Sequence, residues 1–248
     1  MARLPLEISS EIFLQSLPFF PEPGVHRVPM LFLAICNAWA QIVLSTPALW
    51  AAIHISFPCA RAWKDMIPIW LQRARSQPLS VSLQVAKGFD EDVLLILREH
   101  GHQLKHLELH GRWREDNIFG GASPEPIREG FSLRRTLELL QLTPNLECLV
   151  ANTNILLDVN IEKLVHPKFR RLIFGNNESW PHGGLELLMS LPSLETLSMD
   201  LTSGTLLLFL KESSPPLVEL IIGEADNLGF DELSQCLGLV PHLRRLEM

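Results

Sequence analysis

The sequence predicts an α/β chain: an N-terminal helical motif followed by a repetitive solenoid, a curved parallel sheet with helices on its convex side. Two observations carry this. In the N-terminal segment, Leu4, Ile8, Ile12 and Leu17 recur at close to helical spacing and form one apolar stripe. In the C-terminal half, prolines 144, 167, 192, 215 and 241 recur at intervals of 23, 25, 23 and 26 residues, each followed two positions later by Leu or Phe. Such a regular period points to stacked units, none of which can bury its apolar face alone.

The N-terminal elements come first. Pro5 stands in the first helical turn, where its missing N–H had no partner to lose. The apolar stretch Met30 to Leu44 contains Asn37 and Gln41 and is too short to span a bilayer, so it reads as a buried helix. Phe19 to Pro29 holds three prolines and a glycine and reads as a long turn. Residues 51 to 55 form a first short strand after Trp50, and Trp63 to Arg75 a helix started or kinked by Pro68.

The repeat begins at Leu79, where apolar and polar residues alternate through Leu83. Each later unit reads L-x-x-L-x-apolar, opening near residues 104, 146, 169, 194, 217 and 243. Leu107, Leu109, Leu149, Leu172, Phe174, Leu197, Leu220, Ile222 and Leu246 are the expected core, because side chains alternate on a strand. Helices are expected over 91–100, 133–142, 185–191, 206–212 and 232–239. A proline closes each helix, since the residue before proline avoids the helical region. The interval from Leu104 to Leu146 is nearly two periods, and residues 110 to 130 are rich in Gly, Pro and charge. We read an insertion or long loop there that replaced one strand. The organisation is thus 1–50 helical motif, 51–78 linking strand and helix, and 79–248 repeats.

Composition bounds the function. The 248 residues are 47% hydrophobic and 20% charged, which suits a folded core. Net charge is −7 and the Arg pairs at 134–135, 170–171 and 244–245 are scattered, so the footprint of a nucleic-acid binder is lacking. Met1-Ala2-Arg3 is not followed by the apolar core of a secretory signal. The cysteines at 36, 59, 148 and 236 are far apart and suit buried thiols in a reducing compartment. Asn177-Glu178-Ser179 is a formal glycosylation acceptor, expected to stay unmodified without a secretory route.

Chemistry is sparse. No phosphate-binding glycine loop, nucleophile elbow or H-E-x-x-H is present, and no catalytic residue or cofactor is expected. His100, His102, His106 and His110 cluster, and on the strand His106, Glu108 and His110 share one face. That row could ligate zinc, but a solvated strand face is the commoner meaning, so no metal is expected. Cys36, inside an apolar helix, reads as a structural thiol rather than a nucleophile.

Leu4-Pro5-Leu6-Glu7-Ile8, Ile12-Phe13, Leu17-Pro18, Ile35-Cys36-Asn37-Ala38-Trp39 and Leu49-Trp50 together resemble the F-box. Trp70-Leu71-Gln72-Arg73-Ala74-Arg75 before Pro78-Leu79 resembles the segment after it in fungal F-box proteins, and the repeats resemble degenerate leucine-rich repeats. The long Phe19–Pro29 turn departs from the compact motif. The resemblance implies a non-enzymatic, cytoplasmic or nuclear substrate receptor of a Skp-cullin-F-box ubiquitin ligase. Leu4, Pro5, Ile8, Ile12, Phe13, Leu17, Leu33, Ile35, Cys36 and Trp39 would dock the Skp-type adaptor and, through it, a cullin. Trp39 and Trp50 would mainly pack the motif. Val150, Arg171, Ile173, Ser198, Asp200, Ile221 and Arg245 would face an unknown target protein. The apolar members of that strip could instead be covered by the 110–130 loop. The chain stops at Met248 on the last apolar position of a unit, so a truncation or a covering partner is expected there. The alternatives are a repeat scaffold with no ubiquitin role and a metal-dependent enzyme using the histidines.

Overall fold

The structure, a computed structural model, describes residues 4–57, 61–85, 91–111, 131–152, 155–156, 164–174, 189–199, 205–223 and 229–248. Helix α1 spans Leu6–Gln15, with Pro5 at its N-cap rather than inside its first turn. The stretch expected as one buried helix is two, α2 (Met30–Ile35) and α3 (Asn37–Ser45). Cys36 between them is extended (φ −163°, ψ 163°) and exposed, which corrects its reading as a buried helical thiol. Only Phe32 and Val43 of the two helices are fully buried, because each turns one narrow stripe inward. Phe13, Phe32 and Trp39 meet at ring-centroid distances of 4.5 to 5.6 Å and form the centre of the motif. A 3-10 turn, Pro47–Trp50, delivers Trp50 into the core. Its indole N–H donates to the Val43 carbonyl (3.1 Å), its ring meets Trp70 edge-on, and Arg73 lies over it at 4.5 Å.

Eight strands form one sheet, all parallel and ordered as in the chain. They are β1 (Ala52–Phe57), β2 (Leu79–Val85), β3 (Leu104–Gly111), β4 (Cys148–Asn152), β5 (Arg171–Phe174), β6 (Thr196–Met199), β7 (Glu219–Ile222) and β8 (Arg245–Glu247). β3 and β4 are direct neighbours, so no strand of the long interval stands between them. Residues 112–130 of that interval lie outside the described residues, as do Cys59 and Asn177.

From β4 onward the strands start two residues later than the repeat pattern predicts. The reason is a turn. Leu146, Leu194 and Leu243 each donate an N–H to a carbonyl three residues back (3.0 to 3.2 Å). The next residue then joins the ladder: Glu147 donates to Lys105, Arg170 to Glu147, Glu195 to Arg170, Val218 to Glu195 and Arg244 to Val218, all at 2.8 to 2.9 Å. Leu146 and Leu194 are seated in the core by this turn, and Phe169 and Leu217, at the same place in their units, are buried as well.

Ile53, Val81, Leu107, Leu149, Leu172, Leu197 and Leu220 form one buried row across the sheet, and Ile55, Leu83, Leu109, Ala151, Phe174, Met199 and Ile222 a second. Leu246 is the exception at 36% exposure, since no described strand lies beyond β8 to cover it. Helices α4 (Arg61–Ala74), α5 (Glu91–His100), α6 (Leu133–Gln141), α7 (Thr205–Ser213) and α8 (Phe230–Leu239) connect the strands. Their buried residues, such as Trp70, Leu97, Leu140, Phe209 and Cys236, join the same cluster as the strand rows, so these helices share one face of the sheet. Pro68 sits within α4. The helix expected over 185–191 is not seen where it is described: Met189–Ser190 is a strand pairing with Leu164–Val165. Residues 185–188 lie outside the described residues.

Candidate functional site

Two surfaces stand out. On the helical motif, Leu4, just before α1, and Ile8 and Ile12, one turn apart along it, are 62%, 50% and 52% exposed. Ile35 is half exposed at the end of α2, and Pro5, Cys36 and Trp39 are also exposed. Leu17 and Leu33 are partly buried against the core. Phe13 differs from expectation: at 6% exposure it belongs to the interior, because its ring is clamped by Phe32 and Trp39. Leu6 and Leu44, not singled out by the spacing, are exposed as well. α1 is held by a Ser10–Thr46 hydroxyl contact of 3.0 Å.

The second surface is the outer face of the sheet, opposite the helices. One row across it runs His54, Ser82, Glu108, Val150, Ile173, Ser198, Ile221, Glu247. The neighbouring row, two residues earlier on each strand, runs His106, Cys148, Arg171, Thr196, Glu219, Arg245. Register therefore brings Val150, Ile173, Ser198 and Ile221 into one half-buried line beside Arg171 and Arg245. Asp200 lies outside the described residues.

The two ends of this face are polar networks. Near β1, the His54 ring contacts Ser82 (3.0 Å) and Ser56 (3.1 Å), and Ser56 donates to Gln84. On β3, Glu108 receives His106 on one oxygen and His110 on the other, each at 3.1 Å. The other two histidines of the cluster stand apart: His100 ends α5, where burial lowers its pKa, and His102 lies in the 3-10 turn Gly101–Gln103. Among the described residues no three metal-ligating side chains converge. Near β8, Arg245 pairs with Glu247 and Glu219, which raise its pKa in that order. Cys148, beside Arg171, is buried, and that burial raises its thiol pKa against the opposing effect of the guanidinium. Cys236 is likewise buried, with a raised pKa.

The long turn after α1 reaches this face. Pro21 accepts the His54 N–H at the free edge of β1 (2.8 Å), and the Phe19 and Phe20 rings approach His106 with centroids 6.0 and 5.7 Å away. Phe19 is nonetheless 76% exposed. Nothing in the sequence spacing pointed to this tie, which depends on β1 being the edge strand.

Fold and surfaces define a class: an α/β protein with an eight-stranded parallel sheet, helices on one face and an apolar-and-charged strip on the other. No protein-family model, curated protein or solved structure matches the chain significantly. No helix among the described residues is long and apolar enough to cross a membrane.

Proposed function

We propose that this chain is the target-binding subunit of a Skp-cullin-F-box ubiquitin ligase, with a helical F-box at its N-terminus and a leucine-rich-repeat solenoid behind it. One observation carries the reading: the residues matching the adaptor-facing positions of the motif, Leu4, Ile8, Ile12 and Ile35, are exposed, while Phe13 and Trp50 pack inside. An apolar stripe of this kind suits a protein partner. The repeats would hold the target, so the assembly raises the effective concentration of target near the ligase, with no bond chemistry by this chain. Such a receptor works in the cytoplasm or nucleus.

Co-expression with a Skp-type adaptor tests the reading. Wild type should co-purify with adaptor and cullin, and the Leu4→Ala/Pro5→Ala variant should lose both. Equal recovery of the two would overturn it. Adaptor without any cullin would favour a scaffold with no ubiquitin role.

A further inference from the structure

Among the described residues, the charged groups of the outer face are almost all compensated. Glu108 is held by two imidazoles, and Glu219 and Glu247 by Arg245. On the same sheet edge, Arg170 pairs with Glu195 at 3.8 Å. Arg171 is different. It is exposed, its row neighbours are Cys148 and Thr196, and among the described residues it has no carboxylate partner. Next to it runs the line Val150, Ile173, Ser198, Ile221, apolar but for one hydroxyl.

We propose that this face binds an extended segment of a protein partner that carries an unphosphorylated Asp or Glu among apolar side chains, with the carboxylate on Arg171. The geometry suits it. Four adjacent strands at about 4.8 Å spacing make a line of roughly 14 Å, the reach of about four extended residues. Arg171 lies one row away, roughly 6.6 Å along the strand, within reach of an acidic side chain. A guanidinium takes a carboxylate in a two-pronged hydrogen bond, and the apolar line gives the flanking residues a dry seat. The choice of carboxylate over phosphate follows from the surroundings. Arg171 is a single cation whose row neighbours, Cys148 and Thr196, are uncharged, while Arg245 is already held by Glu219 and Glu247. One guanidinium balances the single charge of a carboxylate and leaves half of a phosphate dianion's charge uncompensated.

This deepens the receptor reading, and rests on it only in treating the partner as a ligase target. The test is selection of short random displayed peptides on the full chain, with adaptor capture measured in parallel. Wild type should enrich Asp or Glu flanked by apolar residues. The best recovered peptide should lose about tenfold or more in affinity when its acid becomes the amide, and equally on Arg171→Gln. Arg171→Glu, melting like wild type, should instead enrich Lys or Arg at that place. No enrichment, enrichment indifferent to Arg171, or tighter binding of a phosphoserine version would each overturn the proposal. Loss of adaptor capture with peptide binding intact would remove the ubiquitin role and leave this site standing.

Discussion

Phe13 and Ile12 are neighbours in sequence with opposite duties. Phe13 fills the centre of the helical motif and Ile12 faces out. Phe13→Ala should destabilise by about 3 kcal/mol or more and lower the melting temperature. Ile12→Ala should leave that temperature unchanged. His166 is buried, with Nε2 3.0 Å from the Thr143 carbonyl and Nδ1 unpartnered. Burial lowers its pKa, outweighing the raising effect of that hydrogen bond. The unfolded chain therefore binds the proton more readily, so the contribution of neutral His166 is complete above about pH 6.5 and is lost as pH falls below it. Thermal melts between about pH 7.5 and about pH 5.5 should show falling stability, with a shallower slope for His166→Leu. At Gly101 an added Cβ would lie 2.2 Å from the Leu142 carbonyl oxygen, so Gly101→Ala should cost roughly 1–3 kcal/mol in denaturant unfolding.

At the scale of elements, the strand rows were legible in the sequence and several boundaries were not. The alternation of Leu107 and Leu109, or Leu220 and Ile222, marks the core face directly, because burial on one side of a strand leaves a two-residue period. The start of each later strand was misplaced by two residues, because the Pro-x-Leu pattern records the turn that seats the leucine. The pairing that follows depends on the neighbouring strand's carbonyls, which no local pattern records. The break at Cys36 was missed for a similar reason: the surrounding residues are all compatible with helix. So was the tie from Pro21 to β1, a contact between segments distant in sequence. Ser214 ends α7 at φ 44°, a conformation that costs a side chain about 1 kcal/mol. Ser214→Gly should recover much of that, read as a raised denaturant midpoint with unchanged slope. Leu197→Asp, by contrast, would bury an unpaired charge in the central row and should unfold the sheet at ambient temperature.

At the scale of the whole molecule, the apolar stripe of α1 and the outer face of the sheet are separate surfaces on one chain. A bridge requires two such surfaces: one partner can be held without displacing the other. The Phe19–Pro23 segment ties the helical end to the sheet through His54, which suits a fixed orientation between the two. The exposed N-terminal stripe is where we propose that a Skp-type adaptor docks. The most direct measurement is adaptor affinity by titration calorimetry for wild type and Ile8→Asp/Ile12→Asp. Both positions are already exposed, so the variant should melt like wild type. Wild type should bind tightly and the variant about thirtyfold or more weaker, the effect of removing a central interface anchor. Unchanged affinity in the variant, or no binding by wild type, would contradict that docking.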